Sequence, residues 1–307
     1  NTTSALLGAL SWEGSTLIHL GRHDEGLARL GEYADLLRGI IGEQPDDRRQ
    51  QSRLTEALSA LGYAALDAER PQLALTASAE GRTLSEQLVA SDAGNLDYLL
   101  NEARHAQIAA AAQFQLQKWQ AATVENERAL QLFRSLLTRD SSVAQARRGA
   151  TSSRILNFEL AWKTGQPSAA HAVAEEALKA VGDAPPTDAG DSIDFVYAHL
   201  LAVELATLVD HDSALAAQQV QATQAALDGL AASTSTDKQD DLPSLRAALA
   251  LLRGADHIAD APPAESRSPL TYSVARLIER HCRTRPSGFP DEVCRSGSTR
   301  TTTATSR

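Results

Sequence analysis

The sequence predicts an all-α chain, an α–α superhelix of about five helical hairpins followed by C-terminal capping helices. Three observations lead to this prediction. Small residues recur at a fixed interval, the apolar residues between them follow the three-and-four spacing of amphipathic helices, and turn-forming clusters return with the same interval. A fixed period of roughly 20 to 50 residues is typical of stacked supersecondary units.

The first four units repeat every 48 residues, and the last step is 44 residues. Four columns keep this phase, apart from Phe158, which stands where a small residue is expected. The small columns are Gly26, Ala74, Ala122, Ala170 and Ala214, and Gly14, Gly62, Ala110 and Ala202; the apolar columns are Ile18, Leu66, Phe114, Trp162 and Ala206, and Leu36, Leu84, Leu132 and Ala180. Each unit is therefore predicted to be the same structural element.

The second unit shows how each hairpin is predicted. Its first helix covers residues 55–66, and Pro71 breaks the pattern because proline lacks the amide that continues a helix. Its second helix covers residues 73–89 and ends at the turn cluster 91–95. Equivalent clusters at 43–46, 138–141 and 183–186 separate the other hairpins. Such short turns predict antiparallel partners.

The small-residue columns predict close contacts between the two helices of each hairpin. Without a bulky side chain at the crossing, two helix axes approach to about 8 Å. Glycine inside a helix costs about 1 kcal/mol relative to alanine. Gly14, Gly26 and Gly62 therefore indicate a packing requirement strong enough to offset that cost.

After Leu230 the period is lost. Residues 231–241 have the composition of a polar linker, and residues 242–258 and 269–283 each show a helical apolar pattern that could cap the stack. We therefore predict a repeat array at 1–230, a linker with capping helices at 231–283, and a disordered tail at 284–307.

The repeat resembles the tetratricopeptide family. The resemblance rests on the small residues Gly14, Gly62 and Ala110, the turns at 21–23, 117–119 and 165–167, and the alanines Ala74, Ala122 and Ala170. The 48-residue period and boundaries such as 85–95 look like the long-helix variety appended to bacterial serine/threonine kinases and other signalling proteins. The resemblance covers about residues 5 to 230 and implies a right-handed solenoid that binds proteins.

Composition narrows the classes of partner. The chain carries 29 basic and 39 acidic residues, and its net charge of -10 opposes binding to nucleic acid or anionic lipid. It contains no run of 18 apolar residues, so we predict no membrane span. The sequence has no methionine, and we read it as a fragment of a larger bacterial signalling protein. We expect a cytoplasmic location, or a periplasmic one if a membrane helix precedes the fragment.

Nothing in the residues predicts catalysis. The chain has no nucleophile elbow, dinucleotide fingerprint or phosphate-binding loop, so we predict neither an enzyme nor a cofactor. The pairs His23-Asp24 and His211-Asp212 are interpreted as turns whose aspartates cap the next helix. His281, Cys282 and Cys294 supply fewer ligands than a zinc site needs. The tryptophans, Trp12, Trp119 and Trp162, are predicted to pack between helices.

Binding is predicted on the concave face, which the first helices of successive hairpins line in such arrays. By repeat phase, this face contains Ser11, Ser15, Ser59, Tyr63, Asp67, Arg104, Gln107, Gln115, Glu159, Lys163 and His199. Its mixed polar character favours a peptide or protein segment, and we predict a noncatalytic interaction scaffold. Two alternatives stay open: a sensor or regulatory arm of an upstream kinase or DNA-binding domain, and a self-associating structural stack.

Overall fold

The structure is a computed structural model that describes residues 2–182, 189–208, 210, 212–232, 245–246 and 249. Within these residues, side chains are described except at 2–4, 189–193, 207–208 and 232. The described residues form ten helices and no strand: α1 (Thr2–His19), α2 (His23–Glu43), α3 (Arg48–Asp67), α4 (Pro71–Ser91), α5 (Leu96–Gln115), α6 (Trp119–Arg139), α7 (Ala144–Lys163), α8 (Pro167–Val181), α9 (Ala189–Leu208) and α10 (Ser213–Ala232). The all-α class is confirmed.

The turn inside each of the first four hairpins has the same backbone geometry. Gly21, Glu69, Gln117 and Gly165 lie 48 residues apart and all adopt a left-handed conformation, with φ of 74°, 57°, 59° and 69°. The amide of the following residue donates to a carbonyl five residues earlier, as Arg70 does to Ala65 over 2.7 Å. This is the Schellman ending of a helix, and it reverses the chain within a few residues.

The turns between hairpins use a different device. The Asp47 side chain accepts hydrogen bonds from the amides of Arg49 and Gln50, and Asn95, 48 residues later, accepts from Asp97 and Tyr98 in the same way. These side chains satisfy amides that the first turn of α3 and α5 leaves without helical partners. The predicted boundaries at 43–46, 91–95 and 138–141 are confirmed, since α2, α4 and α6 end there.

The contacts divide the chain into two compact units, Asn1–Ala170 and His171–Arg307. In the first unit, each helix packs against the next along the chain from α1 to α7, and the odd-numbered helices also contact one another in the order α1, α3, α5, α7. The core is built mainly from leucine and alanine, with Leu30, Leu58 and Ala65 almost fully buried. We call α1, α3, α5 and α7 the odd layer, and α2, α4 and α6 the even layer.

The even-layer helices are linked by a series of ion pairs. Arg38 of α2 donates two hydrogen bonds of 2.7 Å to Glu80 of α4. Arg82 of α4 contacts Glu125 of α6 at 3.0 Å, and Arg128 of α6 returns to Glu86 of α4 at 2.6 Å. These partners are 42 or 43 residues apart, so this ladder follows the repeat.

Glycine permits close helix contacts, but not always inside one hairpin. A Cβ on Gly14 would lie 2.8 Å from Leu30, and a Cβ on Gly26 would lie 2.7 Å from Ile18, so both glycines serve the α1–α2 hairpin as predicted. For Gly62, the prediction of a contact inside its own hairpin is wrong. A Cβ there would meet Ile108 at 2.9 Å, so Gly62 serves the contact between α3 and α5.

The second unit contains the α9–α10 hairpin. Phe195, Leu200 and Leu227 are fully buried, and α9 packs along α10. His171 of α8 lies 3.1 Å from the Asp210 carboxylate, between α9 and α10. Of the predicted segment 242–258, only Leu245, Arg246 and Leu249 are described, with both leucines buried; the helix predicted at 269–283 and the tail from 284 lie outside the described residues.

Candidate functional site

Two of the predicted binding residues form a hydrogen-bonded chain across three odd-layer helices. The Tyr63 hydroxyl of α3 donates to Gln107 Oε1 of α5 over 2.8 Å. Gln107 Nε2 donates in turn to the Gly149 carbonyl of α7 over 3.1 Å. Tyr63 and Gln107 are half-buried, so each keeps some surface. We call the partly exposed side chains Glu56, Tyr63, Arg104 and Gln107 the odd-layer face.

Arg104 is the free cation of this face. Its guanidinium donates to Asn101 Oδ1 over 3.3 Å, one turn earlier on α5. Within the described part of the chain, no carboxylate lies within salt-bridge distance of it. A half-buried guanidinium with one neutral partner retains donors for a further acceptor.

Burial and the positive charge of Arg104 act on the pKa values of both Tyr63 and Glu56. Burial raises the pKa of the Tyr63 hydroxyl to about 12, and the positive charge of Arg104 opposes part of this shift. Burial also raises the pKa of the Glu56 carboxyl, although much of that side chain is exposed, and Arg104 again acts in the opposite direction. Tyr63 is therefore a neutral hydrogen-bonding group at physiological pH.

Three predicted binding residues are buried, which corrects the expectation that their side chains are free of packing. Ser59 and Glu159 lie inside the first unit, and His199 lies inside the second. The Ser59 hydroxyl is 3.3 Å from His105 Nε2. His199 Nδ1 is 2.5 Å from Gln219 Oε1, and its ring lies 4.1 Å from that of Phe195. None of the three offers much surface to a partner.

The other predicted residues lie at different places on the odd layer. Gln115 donates to the Leu66 carbonyl over 3.0 Å, which ties the end of α5 to the end of α3. Asp67 is half-buried at the last residue of α3, and Lys163 is exposed at the last residue of α7. Ser11 and Ser15 are half-buried on α1.

A buried polar cluster between α3 and α5 was not predicted. Asn101 Nδ2 donates to Thr55 Oγ1 over 2.9 Å, and His105 Nε2 lies 3.1 Å from the Thr55 carbonyl. A Cβ on Gly81 of α4 would lie 2.1 Å from the His105 ring. Burial lowers the pKa of His105 to about 4, so its ring is neutral at physiological pH.

The signal for this cluster was present in the repeat phase. Asn101 and His105 are 48 residues after Arg53 and Ala57, and Ala57 belongs to the apolar core. A polar residue in such a column indicates either exposure or a buried partner, and periodicity does not distinguish the two.

The remaining sequence interpretations have mixed outcomes. Asp212 accepts from the amides of Ala214 and Leu215 and caps α10 as predicted, whereas Asp24 does not cap α2 and instead pairs with Arg70. His211, His281, Cys282 and Cys294 lie outside the described residues. In the described part of the chain, no three histidine, cysteine, aspartate or glutamate side chains converge as metal ligands.

The tryptophans do not share one role. Trp119 packs edge-on against Phe114, with ring centroids 5.1 Å apart, as predicted for interhelical packing. Trp162 is half-buried. Trp12 is 74% exposed, so its predicted packing is wrong.

The comparisons with known proteins assign no family. The chain matches no protein-family model and no curated protein at a significant level. Among the helices that the structure describes, none is both long and apolar enough to cross a bilayer.

Proposed function

We propose that this chain is a noncatalytic protein-interaction scaffold that binds a peptide or protein segment on its odd-layer face. The observation that supports the proposal is Arg104, a half-buried cation in the middle of α5 whose described hydrogen bond goes to the neutral amide of Asn101. An arginine in this position can donate to a backbone carbonyl or to a carboxylate of a bound segment.

Preorganisation is the second support. The bonds from Tyr63 to Gln107 and from Gln107 to Gly149 hold two polar side chains beside the cation before any partner arrives. Ordering a rotamer-rich side chain on binding costs about 0.5 to 1.5 kcal/mol, so groups that are already held reduce that cost. The net charge of -10 favours a protein partner over nucleic acid.

The resemblance to long-period tetratricopeptide arrays adds the expected context. We propose that the chain acts as the interaction arm of a larger bacterial signalling protein, and that it works in the cytoplasm. The family resemblance and this location are part of the same proposal, and a partner identified by the experiment below would test both.

The decisive experiment compares charge reversals inside and outside the face. Affinity capture with the whole chain, followed by titration of the captured protein, would use the wild type, Arg104→Glu and Arg49→Glu. Arg49 is an exposed arginine at the start of α3 and supplies the matched control. We expect Arg104→Glu to weaken binding at least tenfold and Arg49→Glu to leave it unchanged. Equal affinity for Arg104→Glu and the wild type would reject the odd-layer face as the binding site.

A second variant tests preorganisation. Tyr63→Phe removes the donor to Gln107 and keeps the ring, so we expect a two- to tenfold loss of affinity, roughly the value of one hydrogen bond. The loss is expected mainly in the dissociation rate, measured by surface plasmon resonance.

A further inference from the structure

One side of α1 is apolar and uncovered. Ala5, Leu6, Gly8, Ala9 and Trp12 are all exposed there, with Trp12 at 74% and Leu6 at 48%. Their spacing of three and four residues places them on one stripe along the helix. We call these five residues the α1 face.

Part of this stripe is buried in the next hairpin, although Glu56, 48 residues after Gly8, is exposed. Leu54 and Ala57, 48 residues after Leu6 and Ala9, are 3% and 1% exposed and belong to a core cluster that runs from α1 to α5. Ile108, two periods after Trp12, lies against Gly62 of α3. Leu6, Ala9 and Trp12 therefore correspond to positions by which later hairpins stack on the preceding one, and this part of the α1 face continues that interface.

The charge distribution favours contact between two copies at this place. Glu13 is the only Asp, Glu, Lys or Arg in α1, and Arg29 of the same chain lies 3.3 Å from it. Each copy carries a net charge of -10, so two copies repel where charged surfaces meet. The α1 face contains no charge of its own and avoids that repulsion.

We propose that the α1 face docks onto the α1 face of a second copy, with the two helices antiparallel and a two-fold axis near Ala9. In this arrangement Trp12 of each copy packs against Ala5 and Leu6 of the other. The stripe is self-complementary because Gly8 and Ala9 are central and the larger Leu6 and Trp12 lie on either side of them. A two-fold contact of identical patches is the commonest form of soluble homodimer.

The packing follows a geometry that the chain already uses. Neighbouring α2 and α3 are antiparallel and share a core, and a small residue at a helix crossing lets two axes approach to about 8 Å. Each Trp12 side chain can bury roughly 150 to 250 Å². One helix pair lies at the small end of specific interfaces, so the dimer should dissociate on dilution.

This surface is separate from Arg104 and does not depend on the proposed function. The first test is sedimentation equilibrium of the whole chain over a concentration series. We expect a monomer–dimer equilibrium whose dissociation constant rises at least tenfold in Trp12→Ala, while Val124→Ala has no effect. Val124 is an exposed apolar residue, 58% accessible, on α6. Circular dichroism checks that both variants keep their helix content.

The second test locates the contact. In a Cys282→Ser, Cys294→Ser background, Ala9→Cys places one thiol beside the proposed axis, and Val124→Cys places one far from it. A disulfide needs Cα atoms about 4.4 to 6.8 Å apart, so mild oxidation should cross-link the first variant and not the second. A chain that stays monomeric at every concentration, or a dimer that Trp12→Ala leaves intact and Ala9→Cys does not cross-link, overturns the proposal. In the monomeric case the α1 face belongs to another partner.

Discussion

The odd and even layers of the first unit are joined by different chemistry. Helices α3, α5 and α7 are linked by neutral hydrogen bonds, including those of buried Asn101 and half-buried Gln107. Helices α2, α4 and α6 are linked by ion pairs such as Arg38–Glu80, in which both side chains keep more than a third of their exposure. The buried contacts among Thr55, Asn101 and His105 in the odd layer therefore exclude water, and the even-layer ion pairs do not.

This difference sets how much each layer contributes to stability. An exposed ion pair is worth about 0 to 1 kcal/mol and is screened by salt. A buried polar group left without its partner costs about 1 to 3 kcal/mol. Polar contacts of the odd layer should therefore contribute more to the free energy of stacking than the ion pairs of the even layer.

Acid should produce the largest effect, through His105. Its pKa is about 4 in the folded chain, against an ordinary value of 6.5. As pH falls from 6.5 to 4, the unfolded chain binds a proton that the folded chain does not, so the contribution of His105 to the free energy of unfolding falls by roughly 3 kcal/mol. Urea unfolding at pH 7 and pH 4 would measure this against His105→Gln, which lacks the titrating group.

Comparing the wild type with His105→Gln cancels the pH dependence that all other titrating groups contribute to stability. Burial raises the pKa of Glu204 in the second unit to about 8, which makes stability fall as pH rises and acts with the opposite sign. That group is present in both proteins and cancels. A stability difference between wild type and His105→Gln that does not change with pH would show that His105 is not buried as a neutral ring.

Adding one methyl group to the same cluster should have the next largest effect. The Cβ of Gly81→Ala would lie 2.1 Å from the His105 ring, so we expect a loss of about 1 to 3 kcal/mol from overpacking. Gly31→Ala on α2 is the matched control, because nothing lies within 4 Å of a Cβ there. That variant should gain about 1 kcal/mol from helix propensity. Thermal unfolding of the two variants should show a loss of stability for Gly81→Ala and a gain for Gly31→Ala. A gain for both would contradict the packing around His105.

The turns that join the two layers provide an intermediate effect. Glu69 holds a left-handed backbone with φ of 57°, at the position where Gly21 and Gly165 stand in other hairpins. Glu69→Gly should stabilise the chain by about 1 kcal/mol, because glycine adopts this conformation without strain. Gly165→Ala should lose about as much. Chemical unfolding curves would test the pair, and a Gly165→Ala variant as stable as wild type would rule out the shared turn geometry.

The ion-pair ladder should give the smallest effect. A double-mutant cycle of Arg38→Gln and Glu80→Gln is expected to yield a coupling below about 1 kcal/mol at low salt. The coupling should vanish near 1 M salt, where the Debye length is about 3 Å. A matching cycle of Thr55→Val and Asn101→Ala tests the odd layer, whose coupling should not depend on salt. Equal salt dependence in both cycles would remove the distinction between the layers.

Much of the fold follows from local sequence. The period placed the hairpins, and Pro71, Asn95 and the turn clusters marked where helices begin and end, because those signals act through the backbone within a few residues. Gly14 and Gly26 were also correctly paired, since both partners lie in one hairpin.

The binding residues were predicted less well because repeat phase fixes only the direction of a side chain from its own helix. Tyr63 and Gln107 do meet, but Ser59 points into the His105 cluster and Glu159 is buried. The inner odd-layer helices α3 and α5 are each contacted by the even helix before them, the even helix after them and their odd neighbours. Only a narrow part of each helix surface stays exposed to solvent. A prediction from repeat phase alone ignores the neighbouring helices and therefore assigns too many residues to that surface.

The amino-acid sequence by itself determined an all-α chain of hairpins with a 48-residue period, because helix periodicity, turns and caps are local properties of the backbone. Only the tertiary structure decided that Gly62 faces Ile108, that His105 is buried and neutral, and that Trp12 is exposed. Those outcomes depend on which helix packs against which, and that information is carried by contacts between residues far apart in the chain.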